Sequence, residues 1–357
     1  MSKVVIRSTS PRDGQKTLQP VRKIVLTYCI LLLLAGCRLG SSPYNTPPLH
    51  EPPPSLTPSP VPTVTPSATM TPTPHPSDTP TPSPTPPPLR IEVTLDDTQV
   101  LQGHTTVVWV TGDRPVTVTG AVGEDRPLHF VRPASNTHYV SFLGIRATDE
   151  PGRLPVVVVV RSDDGQQVEI TTMLTVLDAH YPQEAIHLSS EVSQLLDPAI
   201  TQPELLRLAQ IYSLATSTIH WEGRFDWPFQ GTITSRFGTR RQYNTGLRSY
   251  HTGLDIDGIT GDVITAPAKG IVVLADQLKV RGGAVILDHG AGVLSGYYHL
   301  DSIDVEVGQT VERGQQLGQM GATGLVTGSH LHWELRVNGV AVDPLEWTER
   351  DFFKADS

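Results

Sequence analysis

Two histidines near the C-terminus, His330 and His332 in "GSHLHWEL", are separated by a single leucine. In an extended strand, side chains two residues apart point to the same face, so both imidazoles would face one point. Upstream, His251 and Asp255 lie four residues apart in "SYHTGLDIDG". The glycine between them disfavours a helix, and in a strand this even offset again gives a shared face. The spacing therefore predicts two pairs of metal-ligating side chains.

A third histidine, His299 in "SGYYHLDS", ends a strand-like run between these two pairs. Together the five groups match the inventory of a catalytic zinc site, which has three protein ligands and a fourth position open for water. Histidines outside the ligand set can transfer protons, because imidazole titrates near neutral pH. The spacing does not decide whether His330 or His332 is the ligand. A lone H-x-H is more often a surface or structural pair, so the surroundings carry the prediction.

The residues around these groups favour β structure. From Phe225 onward, glycine punctuates strand-like runs such as "GTITSRFG" and "GGAVILDHGAGVLSGYYHL", which predicts a compact, mostly antiparallel β domain with a metal groove over residues 225–348. Residues 90–178 contain six short β-branched runs separated by turn residues, as expected of a β-sandwich-like domain. Residues 179–224 show apolar positions three and four apart, which predicts a short helical connector. In its "TQPELL", Thr201 is the expected cap and Pro203 lies in the first turn. The chain is therefore predicted to be mainly β.

The C-terminal segment from Phe225 to Trp347 resembles the lysostaphin-type (LytM-like) zinc endopeptidases, which cut peptides of the bacterial cell wall. Seven landmarks occur in order: "TSRFGTR", "YHTGLDID", "APAKGIVV", "LDHGAGVLSGYYHL", "VGQTVERGQQLGQMGATG", "TGSHLHWEL" and "VDPLEW". The chain departs from the family at Ser329, where proline is frequent, and at Trp333, where phenylalanine is frequent. Neither departure falls on a ligand position.

The resemblance implies a role for each residue of the site. His251, Asp255 and His332 would bind Zn²⁺, and His299 and His330 would be the catalytic histidines beside it. Tyr243, in "RRQYNTG", would match a tyrosine that helps to hold the developing oxyanion. The implied activity is hydrolysis of peptide bonds in peptidoglycan, with zinc-activated water and histidine acid–base assistance. Which of His299 and His330 is the general base stays open.

Two other functions compete with this interpretation. Some relatives of this fold have lost metal ligands and activate other wall hydrolases, but the expected signature, a missing ligand, does not occur here. A carrier domain of the biotinyl or lipoyl type is the other alternative, because "APAKGIVV" and "VEVGQTVERGQQLG" resemble that sandwich. A carrier needs a modifiable lysine in a Met-Lys-type turn, and "ADQLKVRGG" places Lys279 outside such a context. The histidines would also be left unexplained.

The N-terminal residues are typical of a targeting segment. Basic residues precede the apolar run "IVLTYCILLLLAGC", which has the length of a signal-peptide core and is too short to span a bilayer comfortably. The sequence "LAGC" resembles the lipobox of bacterial lipoproteins, which implies that residues 1–36 are removed and that Cys37 is lipidated. An ordinary signal peptide or a short anchor helix is the alternative. We expect an extracytoplasmic protein held to the membrane by its lipid.

Residues 37–89 are rich in Pro, Thr and Ser and have almost nothing to bury, so they are predicted to be a linker, either a semi-rigid stalk or a disordered tether. The chain carries a formal net charge of −9. Nucleic-acid contacts require clustered Lys and Arg, so we expect no nucleic-acid partner.

Overall fold

The computed structural model describes residues 2–7, 86–123, 126–133 and 138–353 of the 357-residue chain. The chain divides into two units, residues 1–10 with 86–357 and residues 11–85, and all the described residues belong to the first. The predicted lipidation site Cys37 and nearly all of the predicted leader and linker lie outside the described residues. Within the described part of the chain, no helix is both long and apolar enough to cross a membrane.

The first folded region is a sandwich of two sheets. Its strands are β1 (Ser2–Arg7), β2 (Arg90–Leu95), β3 (Gln99–Leu101), β4 (Thr105–Gly112), β5 (Val116–Val122), β6 (Arg126–Leu128), β7 (Tyr139–Gly144), β8 (Gly152–Ser162) and β9 (Gln167–Leu177). One sheet has the order β1-β2-β4-β7 and the other β3-β9-β8-β5-β6. All six predicted β-branched runs are strands, and alternate residues of β2, β8 and β9 enter a common core. The first strand, β1, pairs with β2 although it falls within the predicted leader.

The connector differs in part from its predicted helices. Its elements are β10 (Gln183–Ile186), α1 (Ser190–Ser193), a 3-10 turn (Gln194–Leu196) and α2 (Pro198–Tyr212). The segment Gln183–Ile186 is a strand because its backbone pairs with another strand, which a helical spacing of apolar residues does not reveal. The cap of α2 is Asp197, whose side chain accepts the Ala199 N–H, so the helix begins before the predicted cap Thr201.

The C-terminal region is built on a ten-stranded antiparallel sheet. Its strands, together with β12 and β13 of a small sheet, are β11 (Ile233–Ser235), β12 (Arg240–Tyr243), β13 (Arg248–Tyr250), β14 (Gly253–Asp257), β15 (Val263–Thr265), β16 (Gly270–Leu278), β17 (Gly282–Gly290), β18 (Val293–Ile303), β19 (Thr310–Val311), β20 (Gln316–Met320), β21 (His330–Val337) and β22 (Val340–Val342), followed by α3 (Pro344–Glu349). The central path runs β11-β14-β21-β18-β17-β16-β19, and β10, β12 and β13 form the small sheet. The mainly β prediction is confirmed.

The sandwich and the C-terminal region share an apolar cluster. Phe142 of β7 packs against Trp221 and Trp347, with ring centroids 5.4 and 5.9 Å apart. Hydrogen bonds cross the same junction: the Asn338 side chain donates to the Phe142 carbonyl at 2.7 Å, and the Asp343 N–H donates to the Gly103 carbonyl at 2.7 Å. The sandwich is therefore packed onto the neighbouring domain through a buried core.

Candidate metal centre

Strand pairing brings three of the predicted residues together. Asp255 on β14 lies directly opposite His332 on β21, and His251 lies in the two-residue link between β13 and β14. Three side-chain atoms then meet: Asp255 Oδ1 lies 2.7 Å from His332 Nδ1 and 2.9 Å from His251 Nε2, and the two nitrogens are 3.0 Å apart. All three side chains are buried.

The other nitrogen of each ring has its own acceptor. His251 Nδ1 donates to the Arg236 carbonyl at 3.0 Å, and His332 Nε2 donates to Glu334 Oε1 at 3.2 Å. Each neutral ring carries one proton, so the lone pairs of His251 Nε2 and His332 Nδ1 face Asp255 Oδ1. Three acceptor atoms therefore converge on one point, and such a set of atoms can coordinate a cation. His, His and carboxylate are a ligand set that zinc accepts.

Electrostatics favour positive charge at this point. Burial alone would raise the pKa of Asp255, but the adjacent imidazole rings of His251 and His332 hold it well below its usual range. Burial lowers the pKa of His251. Burial also acts to lower the pKa of His332, but the carboxylates of Asp255 and Glu334 outweigh it and raise that pKa. An anionic Asp255 beside two imidazoles is the protonation state that a metal requires.

Glu334 anchors the outer side of His332 and was missed by the sequence reasoning. Its carboxylate is fully buried and also accepts Thr252 Oγ1–H at 2.6 Å, Arg336 Nη2–H at 3.0 Å and Arg281 Nη2–H at 3.4 Å. Burial would raise its pKa, but Arg336 and Arg281 hold it well below its usual range. The period of two that pairs His330 with His332 also places Glu334 on their face, so the signal was available in "HLHWE".

Arg241 contacts the carboxylate ligand and was likewise missed. Its Nη2 donates to Asp255 Oδ2 at 2.8 Å, the oxygen that does not face the two histidines. It lies two residues before Tyr243 on β12, so the two side chains share a face of that strand. Tyr243 lines the groove above the cluster. Arg241, rather than Tyr243, makes the direct hydrogen bond to a candidate ligand.

The two remaining histidines stand beside the cluster. His299 and His330 have ring centroids 4.9 Å apart, and the His299 ring is 6.0 Å from that of His332. His299 Nδ1 donates to the Thr323 carbonyl at 2.8 Å, and His330 Nδ1 donates to the Gly328 carbonyl at 2.9 Å. His330 Nε2 lies 3.7 Å from Asp255 Oδ1. In both rings the backbone contact fixes the Nδ1 proton, which leaves Nε2 to accept a proton at the groove.

His299 is held in an unusual state. Burial, followed by the neighbouring rings of His332 and His330, lowers its pKa to about 3, so it is neutral near pH 7. Its backbone has φ of +64°, in the left-handed region that non-glycine residues seldom adopt. The ring therefore presents an unprotonated Nε2 near neutral pH, but so low a pKa makes it a weak base.

The groove has two walls of different origin. The C-terminal region supplies the cluster, His299, His330, Tyr243 and the segment Leu325–Thr327. The connector supplies Glu184, Ile186 and Leu188. All six predicted catalytic and metal-binding residues therefore line one groove, and the connector forms part of its wall.

In a comparison with known protein families, residues 249–344 match "Peptidase family M23". An uncharacterized metalloprotease of Haemophilus influenzae is 38% identical over 124 residues, which is 34% of this chain and 26% of that protein. The peptidoglycan DD-endopeptidase ShyA of Vibrio cholerae is 37% identical over 115 residues, 32% of this chain and 27% of that protein. The murein hydrolase activator NlpD of Escherichia coli is 36% identical over 122 residues, 34% of this chain and 30% of that protein. The chain spans less than a third of the length of each of these relatives.

Proposed function

The chain carries at its C-terminus a domain of peptidase family M23, and on this premise we propose that it is a zinc-dependent endopeptidase that hydrolyses peptide bonds in bacterial peptidoglycan. The observation that carries the proposal is the convergence of His251, Asp255 and His332 with two further histidines on one groove. The proposed substrate class is supported by the presence of a peptidoglycan endopeptidase among the similar proteins.

The residues of the groove divide the reaction between them. His251, Asp255 and His332 would hold zinc, which when bound supplies a Lewis acid that activates water and polarises a peptide carbonyl. The Nε2 atoms of His299 and His330 face the groove, where one takes the proton of the attacking water and returns a proton to the departing amine. The other, once its Nε2 also carries a proton, donates a hydrogen bond together with Tyr243 to the oxygen that becomes negative. A buried site strengthens each of these charge interactions.

Activation of another hydrolase is the second candidate function, since a murein hydrolase activator is also among the similar proteins. Such a role needs a docking surface and no metal. The complete ligand set and the fixed tautomers of His299 and His330 favour the peptidase, because a docking protein has no use for them.

The full chain incubated alone with purified peptidoglycan tests the proposal. A peptidase releases fragments with new amino and carboxyl ends, which mass spectrometry identifies, and a chelator abolishes the release. An activator releases nothing alone and accelerates a second wall hydrolase when one is added. That second result would contradict the proposal.

We also propose that the mature protein begins at a lipidated Cys37 and acts outside the cytoplasm. The support is the "LAGC" sequence after an apolar run. Replacing Cys37 by Ala should release the protein from the membrane fraction and prevent processing. A variant that stays membrane-bound and is cleaved at the same residue would contradict the lipid anchor.

A further inference from the structure

The connector strand β10 lies alongside β12 at the edge of the groove. The two strands are parallel, and their register places Glu184 directly beside Arg241. Asn244 fastens the end of this pairing: its Nδ2 donates to the Leu188 carbonyl at 2.9 Å, and its Oδ1 accepts the Leu188 N–H at 3.2 Å. The position of Glu184 is thus set by a backbone ladder as well as by its own side chain.

One guanidinium group, that of Arg241, links the connector to the candidate metal centre. Arg241 Nε donates to Glu184 Oε1 at 2.5 Å, and Arg241 Nη2 donates to Asp255 Oδ2 at 2.8 Å. The Arg241 side chain is 17% exposed and that of Asp255 is 12% exposed, so this ion pair is only weakly screened by solvent. Each carboxylate fixes one side of the planar guanidinium, which in turn fixes the rotation of Asp255 about its last bond.

The same network reaches a second candidate ligand. Arg241 Nη2 also donates to Ser235 Oγ at 3.0 Å, and this oxygen lies 3.2 Å from His251 Nδ1. Glu184 Oε1 lies 3.4 Å from the same hydroxyl. Two of the three ligands therefore depend on contacts that lead back to Glu184. Glu184, Ser235 and Arg241 all lie outside residues 249–344, the stretch that matches the peptidase family.

We propose that Glu184 is a positioning residue of the metal centre, which acts through Arg241 on Asp255; this inference rests on the proposed zinc site. Glu184 favours zinc binding in two ways. It holds Arg241 where Asp255 Oδ1 points at the two histidines. It also neutralises the Arg241 charge, which would otherwise repel a cation bound by Asp255. Residues that orient metal ligands in this way typically contribute about 10- to 100-fold to metal affinity.

The zinc dissociation constant of the full chain, measured by competition with a chromophoric chelator, tests this role. Glu184→Gln should weaken zinc binding about 10-fold. In the Arg241→Gln background, Glu184→Gln should have no further effect, since its influence passes through Arg241.

Asp276→Asn is the matched control. Asp276 Oδ2 accepts from Arg207 Nη1 of α2 at 2.7 Å, so this ion pair also joins the connector to the C-terminal region, outside the groove lining. The control should leave the zinc dissociation constant unchanged.

Three results overturn the inference. They are unchanged zinc affinity in Glu184→Gln, an equal loss in Asp276→Asn, and a full additional loss when Glu184→Gln is combined with Arg241→Gln. Zinc binding and cleavage by the wild-type chain distinguish a failure of this inference from a failure of the proposed function. If wild type binds no zinc, the proposed function fails and the inference with it; if wild type binds zinc and cleaves, only the inference fails.

Discussion

At the scale of single residues, the site works through the second nitrogen of each ring. In His251, His299 and His330, the Nδ1–H donates a hydrogen bond to a backbone carbonyl. In His332, the Nε2–H donates a hydrogen bond to the carboxylate of Glu334. Each contact leaves a lone pair directed into the groove. Among the three candidate ligands, His332 has a carboxylate as the partner of its second nitrogen, so its basicity depends on Glu334.

Replacing Glu334 by Gln tests that dependence. The amide keeps the shape of the side chain but removes the charge that faces Arg281, Arg336 and His332. We expect zinc affinity to fall about 10- to 100-fold. We also expect lower stability, because the partly buried guanidinium groups of Arg336 and Arg281 lose this carboxylate, although Arg281 keeps a second one, Glu204. Chelator competition and urea unfolding measure the two effects, and an unchanged zinc dissociation constant would show that Glu334 does not tune the ligand.

Much of the site could be predicted from the sequence, and the limits are physical. Period-two spacing paired His330 with His332, and even spacing paired His251 with Asp255, because both pairs lie on or next to strands. The same spacing could not choose the ligand between His330 and His332. Arg241 could not be found, because its contact with Asp255 depends on how β12 packs beside β14 rather than on any local pattern.

At the scale of elements, the connector packs against the domain that holds the candidate metal centre. Helix α2 packs Leu208 and Tyr212 against buried residues of β17 and β18, and the Tyr212 hydroxyl is hydrogen-bonded to that of Tyr298. Glu204 accepts the N–H groups of Val280 at 2.8 Å and Arg281 at 3.1 Å. Residues 225–348 hold all the predicted catalytic and metal-binding residues, but they do not hold these supports.

Glu204→Ala measures what the helix contributes. Two backbone N–H groups beside the β16–β17 hairpin lose their acceptor, and an unsatisfied donor costs about 1–3 kcal/mol when it is buried. We expect the free energy of unfolding to fall by about that amount. Glu191→Ala, an exposed carboxylate of α1, is the control and should change it by less than about 0.5 kcal/mol. If the two substitutions changed the free energy of unfolding equally, the contacts of Glu204 in α2 would not stabilise the domain.

At the scale of the whole molecule, the sandwich and the peptidase domain are joined by a buried junction with a titratable group at its centre. Glu346 of α3 accepts the Thr105 N–H at 2.8 Å, and Arg350 Nη1 lies 3.6 Å from its other oxygen. Burial raises the pKa of Glu346 to about 8, although Arg350 and the Thr105 amide act to lower it. The folded state therefore holds this proton more tightly than the unfolded chain does.

A stability that changes with pH follows from this shift. The pKa of Glu346 is raised above its unfolded value of 4.5, so its contribution is fully present below about pH 4.5 and is lost as pH rises through about 8. Glu346→Gln removes the proton exchange, and the variant should gain stability relative to wild type as pH rises from 5 to 8. Urea unfolding at both pH values measures the difference, with the exposed Glu349→Gln of the same helix as control. A difference between Glu346→Gln and wild type that is the same at both pH values would contradict the shift.

The central claim is that His251, Asp255 and His332 hold the metal while His330 and His299 act on protons. Zinc content and peptidoglycan cleavage, measured on the same preparations of the full chain, test it most directly. Wild type should carry one zinc per chain and cleave. His332→Ala should lose zinc and cleavage together. His330→Ala should keep its zinc and lose cleavage by about 10²- to 10⁴-fold, the usual contribution of general acid–base catalysis. Zinc lost from His330→Ala and retained in His332→Ala would reverse the assignment, and full cleavage by both variants would contradict the account.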